Sequence, residues 1–304
     1  RQRAGGDAAA LARTPGIGRK TAQRLLLDLR DTLGTGEPFQ PTTISAVGPE
    51  DADVLEALAA LGYTQAEAQA AIVAVPDEVT VIDGRPPVRS KLFLNGACML
   101  QDPAAMLAAR LVEPQPGERV LDLCSAPGGK TTHLAALTRN EARIVACDSH
   151  PRRLRQIREN GLRMGHPDVA MAAADGRRAP FRGQFDRVLL DAPCSGLGTL
   201  RRHPDLKYRM SRQDISELAA LQGELLRSAI ALCQNQGVIV YSVCTFSAEE
   251  TDEVIARIRE AEPVVLEDGP TWMDAWKTNQ GTYRTNPVQD GLDGFFLTRL
   301  RKRS

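Results

Sequence analysis

Two cysteines stand where a nucleophile would be useful. Cys194 lies in LLDAPCSGLGTLRRHPD (residues 189–205) and Cys244 in VIVYSVCTFSAEE (residues 238–250), each just past an apolar run that reads as a strand. A thiolate in such a place could add to C6 of a cytosine, which makes C5 an enamine carbon able to take a methyl group from a sulfonium. The proton left on C5 must then be removed and the thiolate expelled, so a second acid–base group beside the ring has a use. From the residues alone, either cysteine could be the attacking one. Cys98, Cys147 and Cys233 read as core residues, since free cysteine is among the most buried types. The absence of any C-x-x-C pair or histidine-rich companion in the sequence argues against a metal site.

A second group of residues suits a nucleoside-bearing cofactor. LDLCSAPGGKTT (residues 121–132) reads as a strand, a glycine loop and a helix start, and in an open α/β sheet ligands bind at the carboxyl ends of the strands. A phosphate-loop reading of the G-K-T string fails on spacing, because G-x-x-x-x-G-K-[ST] needs glycine where Cys124 stands. Asp148, Asp175 and Asp191 each close a later strand. One acid after the second strand suits the two hydroxyls of a ribose, and further acids can accept from the amino groups of an adenine or a methionine moiety. An aspartate at a strand end also serves as a turn former or helix cap. Three of them in register with the glycine loop shift the balance toward the cofactor.

These residues need a sheet to bring them together. From about Arg119, short apolar runs alternate with longer helical stretches, which signals a parallel sheet covered by helices. Strands are expected at 119–124, 143–148, 169–175, 185–191 and 237–244, with a late hairpin near 294–301, and helices at 131–137, 151–164, 214–233 and 248–262. The first ninety residues have a different texture. Pro15, Gly16 and Gly18 force a turn, after which Ala22, Leu25, Leu26 and Leu29 share a helical face. A Gly/Pro/Thr-rich linker follows over 34–49, then a short helix stopped at Gly62 and a second one with Thr64 and Glu67 as a capping box. The expected organisation is therefore 1–33, a linker over 34–49, a helical module over 50–93, and an α/β domain over 96–304.

The chain has 304 residues with 38 Lys+Arg against 38 Asp+Glu, so bulk charge gives no argument for a nucleic-acid partner and any such surface must be local. Arg201, Arg202, His203, Lys207 and Arg209 form one local basic segment, fit either for a solvated surface or for phosphate contact beside a crevice. No apolar run approaches the ~20 residues that span a bilayer, and no hydrophobic leader is visible, so a cytoplasmic location is expected.

LDLCSAPGGKTT, DAPCSG with the RRHPD after it, VCT, and DGFF (residues 293–296) occur in order, and together they resemble the NOL1/NOP2/Sun family of RNA cytosine-C5 methyltransferases over residues 96–303. The resemblance implies a Rossmann-like α/β sheet and S-adenosylmethionine as cofactor. It also implies a loop of Cys124, Ser125, Ala126, Pro127, Gly128, Gly129 and Lys130 around that cofactor, with Asp148, Asp175 and Asp191 touching it and Cys124 contributing mainly backbone. It implies Cys244 as nucleophile, Cys194 as the residue assisting product release, Asp191 in the catalytic set, and RNA, of the rRNA class, on Arg201, Arg202, His203 and Lys207. Val243 stands where that family often has threonine.

LARTPGIGRKTAQRLLLDLRD and DVLEALAALGYTQAEAQAAI resemble the second helix-hairpin-helix and the C-terminal helical domain of RuvA, over residues 1–93. That resemblance implies a small all-α module, a weak DNA contact through the turn from Pro15 to Gly18, and a contact with the RuvB motor. The chain looks like two partial proteins joined near 92–98. Rival readings are a DNA-junction module carrying the methyltransferase as passenger, and an inactive fusion product.

Overall fold

Alternating apolar residues build a sheet buried on both faces. In the computed structural model, which describes residues 73–75, 79–81, 91–182 and 184–304, eight strands form one sheet. An antiparallel pair, β1 (Val73–Val75) and β2 (Val79–Val81), lies outside it. This pair falls within the stretch read from sequence as helical, so that stretch is not all-α. The expected hairpin module, the linker and the turn from Pro15 to Gly18 lie outside the described residues. The chain divides into two units, Arg1–Glu56 and Ala57–Ser304, and the second holds every described residue.

The large sheet contains β3 (Arg119–Asp122), β4 (Arg143–Asp148), β5 (Ala170–Ala173), β6 (Phe185–Asp191), β7 (Cys233–Val243), β8 (Val264–Leu266), β9 (Tyr283–Arg284) and β10 (Phe296–Lys302). Its order is β5-β4-β3-β6-β7-β10-β8, with β9 also paired to β10. β3 to β7 run parallel, and β10 is antiparallel to β7, β8 and β9. The expected late hairpin is thus a single strand, β10, inserted between β7 and β8. Its longest pairing is with distant β7, while the strand just before it, β9, adds a two-residue antiparallel pairing.

Helices α1 (Lys91–Leu94), α2 (Pro103–Val112), α3 (Gly129–Leu137), α4 (Pro151–Arg163), α5 (Leu206–Arg209), α6 (Arg212–Leu232) and α7 (Asp252–Ala261), with 3₁₀ turns at Gly176–Arg178, Leu197–Thr199 and Thr271–Trp276, complete the described elements. Leu121, Val188, Leu190, Ile239, Tyr241 and Phe296 pack with α6 and α7. Their strand neighbours Val120, Leu189, Val238, Val240 and Leu297 pack with α2 and α3. This period of two is what a sheet covered on both sides requires. α2 was not expected from sequence, although Asp102 accepts from Ala104 N–H at 2.9 Å as its N-cap and Pro103 occupies the first turn. α6 begins two residues before the expected start because Ser211 and Asp214 form a capping box. α7 begins four residues after its expected start, because residues 248–251 form a turn that buries Glu250.

Strand order reverses around β3: the chain runs outward through β4 and β5, then returns to β6 on the other side of β3. Such a switch point opens a crevice at the carboxyl ends of the strands. The loops after β3, β6 and β7 all open there.

Candidate active site

The glycine loop after β3 is fastened to β4. Ser125 donates from its N–H to the Cys147 carbonyl at 3.0 Å and from its hydroxyl to the same oxygen at 2.9 Å. Gly128 has φ +102°, and a Cβ there would stand 3.0 Å from the Ile157 Cα, so the loop can turn into α3 only with glycine at this position. Asp148, buried at the end of β4, accepts the N–H of Ala126 at 3.3 Å and of His150 at 2.9 Å. The loop thus presents backbone, little side chain, beside a buried acid.

Asp175 is placed differently from Asp148. It caps a 3₁₀ turn (Gly176–Arg178), accepting Arg177 N–H at 3.0 Å, and the Arg177 guanidinium grips both carboxylate oxygens. Those hydrogen bonds hold its pKa down at about 2. The turn-forming role open to any strand-end aspartate is the one observed here. Asp191, at the end of β6, meets Lys130 Nζ at 2.6 Å and accepts the Ser242 hydroxyl from the neighbouring strand. Burial alone would lower the Lys130 pKa, but the Asp191 charge and hydrogen bond outweigh it and raise it.

The two candidate cysteines meet: Cys194 Sγ and Cys244 Sγ are 3.3 Å apart. They come from loops after adjacent parallel strands, β6 and β7, registered with Asp191 opposite Ser242. The hydrogen bond from Cys194 lowers the Cys244 pKa against burial and the Asp191 charge, and the Lys130 ammonium also lowers it. Cys194 moves the opposite way, raised by its hydrogen bond to Cys244 and by burial. The two thiols are thus shifted in opposite directions, Cys244 down and Cys194 up, by the one contact between them. Cys124, Cys147 and Cys233 are pushed up chiefly by burial, Cys147 to about 11 and Cys233 to about 12, and are unreactive by comparison.

Gly198 locks the Cys194 loop in place. Its N–H donates to the Cys244 carbonyl at 2.9 Å, and its own carbonyl accepts Gly294 N–H at 2.8 Å. A Cβ on Gly198 would lie 1.8 Å from the Gly294 oxygen. Further along, Arg202 pairs with fully buried Asp293, and Arg201 donates to the Gly291 carbonyl at 2.6 Å while lying 3.6 Å from Asp293. The first two basic residues of the segment thus brace the Asp293–Phe296 turn, with about half of each side chain still exposed. His203 and Lys207 are exposed. Sequence reasoning missed Asp293 as the partner of Arg202, 91 residues away, and missed Glu250, Gln222 and Ser195 behind the thiols.

Residues 109–301 match the family described as 16S rRNA methyltransferase RsmB/F. Residues 50–83 match the RuvA C-terminal domain, and 3–31 a SAM-like helix-hairpin-helix tandem. A probable ribosomal RNA small subunit methyltransferase B of Bacillus subtilis is 34% identical over 274 residues, 88% of this chain and 60% of that protein. The 28S rRNA (cytosine-C(5))-methyltransferase of Mus musculus is 37% identical over 226 residues, 69% of this chain and 28% of that protein. The chain spans about half the length of most of the curated relatives it matches. Among solved structures, NSun6 from Pyrococcus horikoshii with SFG superposes with a TM-score of 0.67 at 32% identity, covering 79% of this chain and 62% of that one. PH0851 superposes with a TM-score of 0.70 at 26% identity, covering 93% and 74%. With its α/β sheet, its glycine loop and its facing thiols inside the matched span, the chain belongs to the RsmB/F family of 16S rRNA methyltransferases.

Proposed function

We propose that this chain is an S-adenosylmethionine-dependent RNA cytosine-C5 methyltransferase, with ribosomal RNA as its substrate class, acting through a covalent cysteine–C6 adduct. The observation that carries this reading is the sulfur pair at 3.3 Å, with the Cys244 pKa drawn down by its partner thiol and by Lys130, beside the Lys130–Asp191 ion pair. The names of the relatives, rRNA small subunit and 28S rRNA cytosine-C5 methyltransferases, support the substrate class.

The residues present fit the cofactor. A glycine cradle, closed by Ile157 behind Gly128, faces a buried carboxylate at Asp148, and NSun6 was solved with SFG, an S-adenosylmethionine analogue. The backbone of residues 124–130, with Asp148 and Asp191, would hold the cofactor, and Asp175 would reach it only by sharing its Arg177 contact. When bound, S-adenosylmethionine supplies an electrophilic methyl group.

The chain's own groups handle the base. Cys244 Sγ forms a bond to C6, and the C5=C6 π pair moves onto C5, which becomes the nucleophile toward the methyl group. Lys130 keeps positive charge beside the thiolate, and Asp191, fixed by Lys130 and Ser242, offers a charged acceptor at the mouth of the crevice. Once solvent water in the crevice has taken the C5 proton, the C5–H electron pair restores C5=C6, the S–C6 bond breaks, and the S–C6 pair returns to Cys244. The Cys194 thiol assists by donating to the departing sulfur. His203 and Lys207, with the outer faces of Arg201 and Arg202, would meet RNA phosphates.

Incubation with tritiated methyl donor and bulk rRNA, followed by nucleoside analysis, should yield labelled 5-methylcytosine. Cys244→Ala should abolish both methylation and any adduct. Cys194→Ala should attack and methylate but release slowly, so that a protein–RNA species resistant to denaturing electrophoresis accumulates. An adduct in Cys244→Ala and none in Cys194→Ala would reverse the assignment. Tight binding of four-way DNA with no methyl transfer to rRNA would favour the junction-module reading instead.

A further inference from the structure

Among the buried titratable groups that this chemistry leaves unused, Glu250 has partners that point one way. It stands six residues past Cys244 in the turn before α7, with no exposed surface. Its Oε1 accepts Ser195 N–H at 2.8 Å and Gln222 Nε2–H at 3.0 Å, and its Oε2 accepts the hydroxyls of Ser195 at 2.5 Å and Thr245 at 3.2 Å. Ser195 and Thr245 directly follow the two active-site cysteines, and their hydroxyl oxygens are 2.9 Å apart. Gln222, on α6, also donates to the Pro193 carbonyl at 2.9 Å, so both neighbours of Cys194 are held from this one cluster. The Glu250 backbone is pinned in turn, its carbonyl accepting the Tyr241 hydroxyl of β7 at 2.7 Å.

A carboxylate withdrawn completely from water persists only when donors fill its lone pairs. Here three of the four donor groups come from the residues beside the sulfurs. Glu250 bonds to the neighbours of the sulfurs rather than to the sulfurs, and so acts through them. We infer that Glu250 is a positioning residue that sets the distance and orientation between the Cys194 and Cys244 thiols by bracing Ser195 and Thr245 on one buried carboxylate. The inference rests on the cysteine-adduct reading above for its catalytic meaning, but not for its geometry.

The test uses the full chain as wild type, Glu250→Ala and Glu250→Gln. The glutamine keeps the shape: its oxygen still accepts from Ser195 N–H and Gln222, and its amide can donate to hydroxyls that rotate to accept. The first arm needs no RNA. A diazenedicarboxamide oxidant takes two protons and two electrons from the facing thiols, becoming the hydrazine as the Cys194–Cys244 disulfide forms, and the cross-linked peptide is followed by mass spectrometry. Glu250→Ala should close this bond at least about tenfold more slowly per folded molecule, with Glu250→Gln within about threefold of wild type, since misplacement near 1 Å is costly for reacting atoms. The second arm is methyl transfer to rRNA. In Glu250→Ala kcat should fall by about tenfold or more, with KM for RNA within about threefold and adduct accumulating, and glutamine should restore it. A merely destabilising change would lower the folded fraction without altering the disulfide rate of folded molecules or splitting kcat from KM. A wild-type disulfide rate in Glu250→Ala overturns the inference, as does a slowed disulfide with undiminished kcat. If the wild type forms no RNA adduct, the proposed reaction fails while the disulfide arm still decides the role of Glu250.

Discussion

Asp122 closes β3 beneath the glycine loop, fully buried, with one oxygen accepting the Thr131 hydroxyl at 2.6 Å and the other without a hydrogen-bond partner. Burial raises its pKa to about 7, opposed by the Thr131 hydrogen bond and aided by the charge of Asp191. A carboxyl raised in the folded state contributes its full stability below the unfolded value near ~3.9, and that contribution is lost as pH rises toward the folded value. Wild type should therefore lose on the order of 2–4 kcal/mol from this group between about pH 4 and pH 7. Asp122→Asn cannot titrate, so the stability difference between the two proteins in urea melts should swing toward the variant across that window. Parallel pH profiles would show that Asp122 is not the group responsible. At this scale the sequence is informative where chemistry makes a motif: the cysteines after β6 and β7 and the glycine loop stand out because few other roles use those residue types there. It is silent on the burial of Glu250 and of Asp293, the first residue of DGFF, since an acid in a predicted helix or turn looks like a solvated charge, and only folding shows that each is buried against distant donors.

Elements position these residues through a few close approaches, of which Gly198 is the tightest. Alanine there would put its Cβ 1.8 Å from the Gly294 carbonyl oxygen and 2.9 Å from that of Cys244, so the two loops must separate by an ångström or more. The expected result for Gly198→Ala is a fall in single-turnover methyl transfer on the order of 10²-fold. Affinity for the methyl donor, measured by calorimetry, should change little, because the loop held by Asp148 lies on other strands. Near-wild-type turnover would mean that the loop absorbs the clash elsewhere. The five parallel strands could be read from apolar runs ending in polar residues, and α6 from its period. α2 was missed because PAAMLAARLV buries seven of its ten residues and only Pro103, Met106 and Arg110 mark its outer face, so a single charge signals the solvent side. The place of β10 depends on pairing with β7, over fifty residues earlier, which local patterning does not encode.

Over the whole molecule, the methyltransferase unit begins earlier than its motifs do. Arg163, at the end of α4, donates from Nη1 to the carbonyls of Phe93 at 2.7 Å and Cys98 at 2.9 Å, and its guanidinium lies 3.9 Å over the Phe93 ring. Gly96 is pressed against the Arg163 carbonyl at a distance no Cβ would fit. A chain starting at Lys91 should fold and bind the methyl donor as the full chain does, whereas one starting at Gln101 should melt several degrees lower, having lost the two carbonyl acceptors and the ring that Arg163 holds. Equal melting temperatures would remove Arg163 as the clamp. The expected boundary at residue 96 came from motif positions, which say nothing of a segment held by backbone carbonyls. The sulfur pair has a consequence for how this protein can vary in length. Its two members are fifty positions apart along the chain yet 3.3 Å apart in space, a gap set by the register of β6 on β7 and by the few residues that lead out of each strand. One extended residue advances the backbone by about 3.3 Å. A single insertion or deletion between Asp191 and Cys194, or between Ser242 and Cys244, therefore displaces one thiol by the whole separation, so these two short spans have no tolerance for indels even though substitutions can be absorbed around them.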